Sequence, residues 1–132
     1  MPHGPYEATF RFPRTARSVP RARAMLRSLL DAWDEGEAAD TAELLLSELV
    51  TNAVRAPAPR DRQVEFTARA AEGALRLEVA DAGDGRPEPR EAGETDESGR
   101  GLFLIAALTE RWGVSERAVG KTVWCELKLP TG

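Results

Sequence analysis

The sequence predicts a two-layer α/β sandwich, in which a mostly antiparallel mixed sheet carries helices on one face. Several short segments alternate polar and apolar residues, which is typical of half-buried strands. Two longer segments repeat apolar residues every three or four positions, which is typical of amphipathic helices. The predicted order, β-α-α-β-β-α-β-β, keeps strands and helices in separate runs and therefore favours helices on one face of the sheet.

The first half of the chain is predicted to form one strand and two helices. Alternation from Tyr6 to Phe12 predicts the strand. Helical spacing begins at Ser18, a candidate N-cap, and we expect Gly36 to close this first helix. The second helix is expected from about Asp40 to Arg55, because prolines follow it.

The second half is predicted to contain four strands and one short helix. A loop separates the second of these strands from the helix, and it contains two prolines, one glycine and five acids but no periodicity. The predicted elements are strands from Gln63 to Ala70 and from Ala74 to Ala80, the loop from Arg86 to Ser98, a helix from Gly101 to Leu108, and strands from Arg111 to Arg117 and from Lys121 to Leu129.

Length and composition limit the possible functions. The 132 residues are interpreted as a single domain, residues 1–132. The net charge of −4 argues against direct nucleic-acid binding. Apolar runs are too short to cross a membrane and no signal-peptide pattern is visible, so we expect a cytoplasmic protein without a membrane partner. Cys125, the only cysteine, is expected to be buried, and so are Trp33, Trp112 and Trp124.

The second helix carries the first candidate site. Glu48 and Asn52 are four residues apart, so they lie one above the other at the edge of the predicted apolar face. An amide oxygen there can bind Mg²⁺, and a carboxylate can orient or deprotonate a hydroxyl or a water. The alternative is that both are surface residues that pair with Arg55 or with a loop. The predicted apolar face consists of Ala42, Leu45, Leu46, Leu49, Val50 and Ala53.

The second candidate follows a predicted strand directly. Asp81 comes after the strand, and Gly83 and Gly85 follow at two-residue steps. These glycines allow the backbone to approach a flat or anionic ligand closely. The carboxylate can accept a hydrogen bond from a ligand amine, such as the exocyclic amine of adenine. An ordinary Asp-Gly turn between two elements is the alternative.

The third candidate opens the last predicted helix. Gly99, Arg100 and Gly101 lead directly into Leu102. A helix that begins at glycines exposes backbone amides and the positive end of its dipole, which together bind phosphate. Arg100 adds a guanidinium that can form a fork to phosphate oxygens. The alternative is a loop-to-helix junction with an exposed arginine.

In this order, the three motifs resemble the N, G1 and G2 boxes of the GHKL ATPase superfamily, which has the Bergerat nucleotide-binding fold. The chain is most similar to the RsbW-like branch of anti-sigma-factor serine kinases, on the stretch from Glu48 to Arg55 and the closing segment from Gly120 to Trp124. The resemblance covers about residues 6 to 129. The chain differs from the pattern of the family after Arg55. It reads Ala56-Pro57 there, whereas many relatives have a histidine and continue the helix.

The resemblance implies a site for ATP and Mg²⁺. Glu48 would be the catalytic base, Asn52 would hold Mg²⁺, and Asp81 would recognise adenine. The other implied site residues are Gly83 and Gly85, which would shape the adenine pocket, Thr122, which would complete the adenine contacts, and Gly99, Arg100, Gly101 and Leu102, which would form the phosphate-facing edge of a lid.

The resemblance also implies a function and partners. We expect a serine kinase that uses ATP and Mg²⁺ to phosphorylate a small antagonist protein, and that also binds a sigma factor and forms a possible homodimer. The alternative is a nucleotide-binding regulator that sequesters a partner protein with little or no kinase activity. A detached catalytic domain of a sensor histidine kinase is disfavoured, because neither a dimerisation helix nor an acceptor histidine accompanies it.

Overall fold

The computed structural model describes residues 5–56, 63–81, 105–116 and 120–130. These ranges contain five strands, two long helices, one 3-10 turn and a short helical segment at 105–108. The elements are β1 (Tyr6–Pro13), α1 (Ser18–Ala32), the 3-10 turn (Gly36–Ala38), α2 (Ala39–Arg55), β2 (Gln63–Ala71), β3 (Ala74–Asp81), β4 (Arg111–Glu116) and β5 (Lys121–Lys128).

The described strands form one sheet in the order β1-β2-β3-β5-β4. Every described pair is antiparallel, so no parallel pair of the expected mixed sheet is present among these strands. Buried positions alternate along the strands, and the register aligns them on one face: Phe66 lies opposite Val79, which lies opposite Val123. That face packs against the helices in a single core, which confirms the predicted two-layer sandwich.

The core lies between this sheet face and the two helices. Leu26 and Leu30 of α1 and Leu45 and Leu49 of α2 are at most 1% exposed. Burying each such side chain contributes about 1.5–3 kcal/mol. The predicted apolar face of α2 is confirmed, with Ala53 partly exposed at its end. Within the described ranges, no helix combines the length and the apolar character that crossing a bilayer requires.

The ends of α1 differ from the prediction. Ser18 is the first helical residue and not the N-cap, because its hydroxyl donates to the carbonyl of Pro13 instead of capping the helix. Arg17 is the N-cap, without a capping side chain. The helix ends at Ala32, before Gly36, because Asp34 adopts a left-handed conformation with φ 61°.

The tryptophans occupy three different environments. Trp33 is buried as predicted and stacks on Tyr6, with 5.4 Å between ring centroids. The prediction for Trp112 was wrong, because β4 is an edge strand and leaves this side chain 37% exposed. The prediction for Trp124 was also wrong: it is only half-buried and lies on the sheet face away from the helices, against Arg76.

Candidate functional site

The register of the sheet brings the ends of four strands together. β2 begins where β1 ends, and its second residue, Val64, lies opposite Asp81, the last residue of β3. On the other side of β3, Ala80 lies opposite Thr122, the second residue of β5. Neighbouring strands are about 4.8 Å apart. The backbones at Asp81 and Thr122 are therefore close, at one end of the sheet.

The carboxyl-terminal end of α2 lies at the same end of the sheet. Arg14 directly follows β1 and donates hydrogen bonds to the carbonyl oxygens of Ala53, at 3.2 Å, and Val54, at 3.0 Å. These bonds hold the last turn of α2 beside the point where β1 ends and β2 begins. Asn52, on that turn, consequently lies at the same end of the sheet as the backbone of Asp81.

Glu48 and Asn52 lie at the edge of the core face of α2. Both are partly buried, and their neighbours Leu49 and Val50 are buried completely or nearly so. In the described part of the chain, no hydrogen bond or ion pair engages the Glu48 carboxylate or the Asn52 side-chain amide. Both groups are thus half-desolvated, which strengthens their electrostatic interactions with a ligand.

The structure describes only some of the other predicted site residues. Asp81 is described as the end of a strand, and its side chain lies outside the description. Six further predicted residues lie outside the described residues: Gly83, Gly85, Gly99, Arg100, Gly101 and Leu102.

Thr122 lies on the sheet face away from the helices. Its neighbour Val123 is 9% exposed and belongs to the core, and side chains alternate between faces along a strand. Thr122 therefore shares its face with Trp124 and Glu126. The structure does not bring the Thr122 side chain to the sheet face that packs against α2, and Val123 occupies that face instead.

The family of the chain follows from a comparison with known proteins. The sequence profile of the histidine kinase-like ATPase domain family matches residues 12–127, which include both helices and nearly the whole sheet. The chain belongs to this family. The match includes Glu48, Asn52, Asp81 and Thr122.

Solved structures share the fold of this ATPase domain. The RsbU and RsbW domains of Rv1364c from Mycobacterium tuberculosis match with a TM-score of 0.68 at 21% identity, over 94% of this chain and 32% of that one. The histidine kinase domain of a blue-light activated histidine kinase from Erythrobacter litoralis matches with a TM-score of 0.56 at 23% identity, over 89% of this chain and 62% of that one. Both confirm the expected fold.

A sequence relative comes from Streptomyces coelicolor. This uncharacterized protein is 44% identical over 64 residues, which are 39% of this chain and 61% of that protein. The histidine kinase-like ATPase domain described here thus spans less than two thirds of this relative and of both solved structures.

The donor set of this ATPase domain is compatible with Mg²⁺ held jointly with a nucleotide. Among the described residues, no group of three or more histidine, cysteine, aspartate or glutamate side chains could hold a metal by itself. Mg²⁺ in proteins commonly takes one or two protein oxygens and completes its shell with waters and substrate phosphates. The amide oxygen of Asn52 is a ligand of the required kind.

Two features of the ATPase domain were missed by the sequence analysis. The first is Arg14, whose position beside α2 depends on contacts across 39 to 42 residues of sequence. The second is an ion-pair cluster on the open sheet face, where Glu126 accepts hydrogen bonds from Arg76 and Arg111 at 2.8 and 2.7 Å. Burial opposes the ionisation of Glu126, but these two bonds outweigh it and lower the pKa of its carboxyl.

Proposed function

We propose that this histidine kinase-like ATPase domain binds ATP with Mg²⁺ and transfers the γ-phosphoryl group to a serine or threonine of a partner protein. The observation that carries the proposal is the pair Glu48 and Asn52, both half-buried at the edge of the core and one helical turn apart. The end of β3 at Asp81 lies at the same end of the sheet as Asn52.

Each residue of this pair has one role in the proposal. Asn52 would ligate Mg²⁺ through its amide oxygen, and the bound ion would neutralise charge on the β- and γ-phosphates. Glu48 would accept the proton of the attacking hydroxyl through its carboxylate. Phosphoryl transfer depends mainly on positioning and charge stabilisation, so a small set of residues suffices.

The remaining roles rest on the sequence. Asp81 is proposed to accept a hydrogen bond from the exocyclic amine of adenine. Phosphate binding is proposed for the glycine-framed segment around Arg100. The roles of Gly83 and Gly85 in shaping the adenine pocket, and that of Thr122 in completing the adenine contacts, stay predictions.

The proposed partners are a small antagonist protein, which carries the acceptor serine, and a sigma factor. This part of the proposal is supported by the resemblance of the motifs to the RsbW-like branch. A fold shared with the RsbW-containing structure is compatible with it.

A regulator without kinase activity is the second candidate. The observation that favours it is the early end of α2: Ala56 is already extended, with ψ 141°, and Pro57 follows. Only one helical turn therefore follows Asn52. In this candidate, nucleotide binding would change the affinity for a partner protein without phosphoryl transfer.

The two candidates are separated by measuring label transfer from γ-labelled ATP to small proteins encoded beside the gene. For the kinase, wild-type protein labels an acceptor, and Glu48→Gln reduces the rate about 100-fold or more while ATP still binds. Glu37→Gln, which changes an exposed glutamate before α2, is the matched control and labels at the wild-type rate. Mg²⁺-dependent ATP binding without transfer to any acceptor would favour the regulator.

A further inference from the structure

The guanidinium of Arg14 caps the carboxyl-terminal end of α2. Its Nη2 donates to the carbonyl oxygens of Ala53 at 3.2 Å, of Val54 at 3.0 Å and also of Ala56. Its Nε lies 3.4 Å from the Ala53 oxygen. One half-buried side chain thus contacts three of the carbonyls at the end of the helix.

One of these carbonyls lacks its usual backbone partner. The last four carbonyls of a helix have no intrahelical donor. The amide that would serve Ala53 belongs to residue 57, which is a proline and has no N–H. The carbonyl of Asn52 does have a backbone partner, because the Ala56 amide donates to it at 3.0 Å. Arg14 supplies the donor that Pro57 lacks, and its positive charge lies at the negative end of the helix dipole.

We propose that Arg14 is a positioning residue for Asn52. It keeps the turn that follows Asn52 helical, and thereby keeps the Asn52 amide oxygen where it can ligate nucleotide-bound Mg²⁺. This inference rests on the proposed function. It is specific to Asn52, because Glu48 lies one turn earlier, between core residues that already fix its backbone, Leu45 and Leu49.

The test compares Arg14→Met with Arg11→Met. Arg11 lies on β1, three residues before Arg14, is mostly exposed and pairs with Glu65 on the sheet surface, so this control removes an equal charge away from α2. ATP affinity is measured by calorimetry with Mg²⁺ and again with a chelator. The ratio of the ATP affinity with Mg²⁺ to that in the chelator should fall roughly tenfold in Arg14→Met and stay unchanged in Arg11→Met. Affinity in the chelator should be the same in all three proteins.

A second measurement does not require any ligand. Hydrogen exchange of the Ala56 amide, which bonds to the Asn52 carbonyl, should accelerate in Arg14→Met and remain at the wild-type rate in Arg11→Met. If Arg14→Met does not fold, Arg14→Lys replaces it. The ammonium of lysine keeps the charge, but it lacks the planar set of donors with which the guanidinium contacts several carbonyls at once. Both effects should then be smaller and in the same direction.

The outcomes separate this inference from the proposed function. Faster exchange at Ala56 with an unchanged gain from Mg²⁺ would overturn the positioning role and leave the proposed function standing. Unchanged exchange would overturn the cap itself. A wild-type protein that binds ATP equally with and without Mg²⁺ would refute the metal site and the inference together.

Discussion

The indole ring of Trp124 lies across the backbone of Gly113 in the neighbouring strand. These residues are opposite each other in the register of β4 and β5, and a Cβ placed on Gly113 would be 2.8 Å from Cζ2 of Trp124. Arg76 also approaches the ring, with its guanidinium carbon 4.1 Å from the ring centroid. The ring therefore contacts both a guanidinium and a position without a side chain.

Replacing Gly113 with alanine should destabilise the protein. Alanine gains about 0.5–1 kcal/mol over glycine within a strand, but overpacking costs about 1–3 kcal/mol. We expect a net loss of about 1 kcal/mol, with a change in tryptophan fluorescence as the ring of Trp124 moves. Urea unfolding measures the loss. Ser115→Ala, two residues further along β4 and exposed, should change neither quantity, and a Gly113→Ala variant as stable as wild type would contradict the packing argument.

Asp81→Asn should weaken ATP binding. Asparagine is nearly the same size but loses the charge that makes a hydrogen bond from the adenine amine strong, which is worth about 1.5–3 kcal/mol. We expect at least a tenfold loss of ATP affinity by calorimetry. The control is Asp31→Asn, at an exposed position of α1. Wild-type affinity for ATP in Asp81→Asn would refute the adenine assignment.

Glu126 should contribute stability that is lost in acid. Its folded-state pKa lies below the unfolded value of about 4.3, so the contribution is present above that value and disappears as the pH falls through the folded pKa. Glu126→Gln should therefore lower the free energy of unfolding at pH 7 by about 1–2 kcal/mol and flatten its decline in acid. Unfolding in urea at several pH values measures both. Glu110→Gln, an exposed residue, should follow the wild-type curve.

Two leucines of α2 provide a matched pair for the core. Leu49→Ala should cost about 2–5 kcal/mol, because the side chain is 1% exposed and its removal leaves a cavity. Leu44→Ala should cost less than about 0.5 kcal/mol, because that side chain is 45% exposed. Both variants replace leucine with alanine in the same helix, so the change in helix propensity is comparable. The difference between their unfolding free energies in urea therefore reports the contribution of burial. Equal losses would contradict the assigned core face.

The sequence predicted best where the signal is local and repeated. The apolar face of α2 was correct because helical periodicity directly reflects burial, and Leu45, Leu46 and Leu49 all lie in the core. The end of α1 was misplaced because Asp34, not the expected glycine, takes the left-handed conformation that ends the helix.

Features that depend on distant partners could not be predicted. The exposure of Trp112 follows from the edge position of β4, which is set by strand order and not by the residues of β4. The sheet face on which Thr122 lies follows from the register between β5 and β3. A shift of one residue in that register would move every side chain of the strand to the opposite face. Arg14 resembled any other surface arginine, and only the missing amide of Pro57 indicated that α2 needs an outside donor.

The cap on α2 also has a consequence for the order in which the molecule assembles. Arg14 is separated by 39 to 42 residues from the carbonyls that it contacts, so its part of this helix end depends on a distant segment of the chain. Contacts between residues far apart in sequence form late, because closing the intervening chain costs entropy first. The last turn of α2 would thus form completely only after β1 has docked, so that partly folded chains would lack the finished turn to which metal binding is proposed.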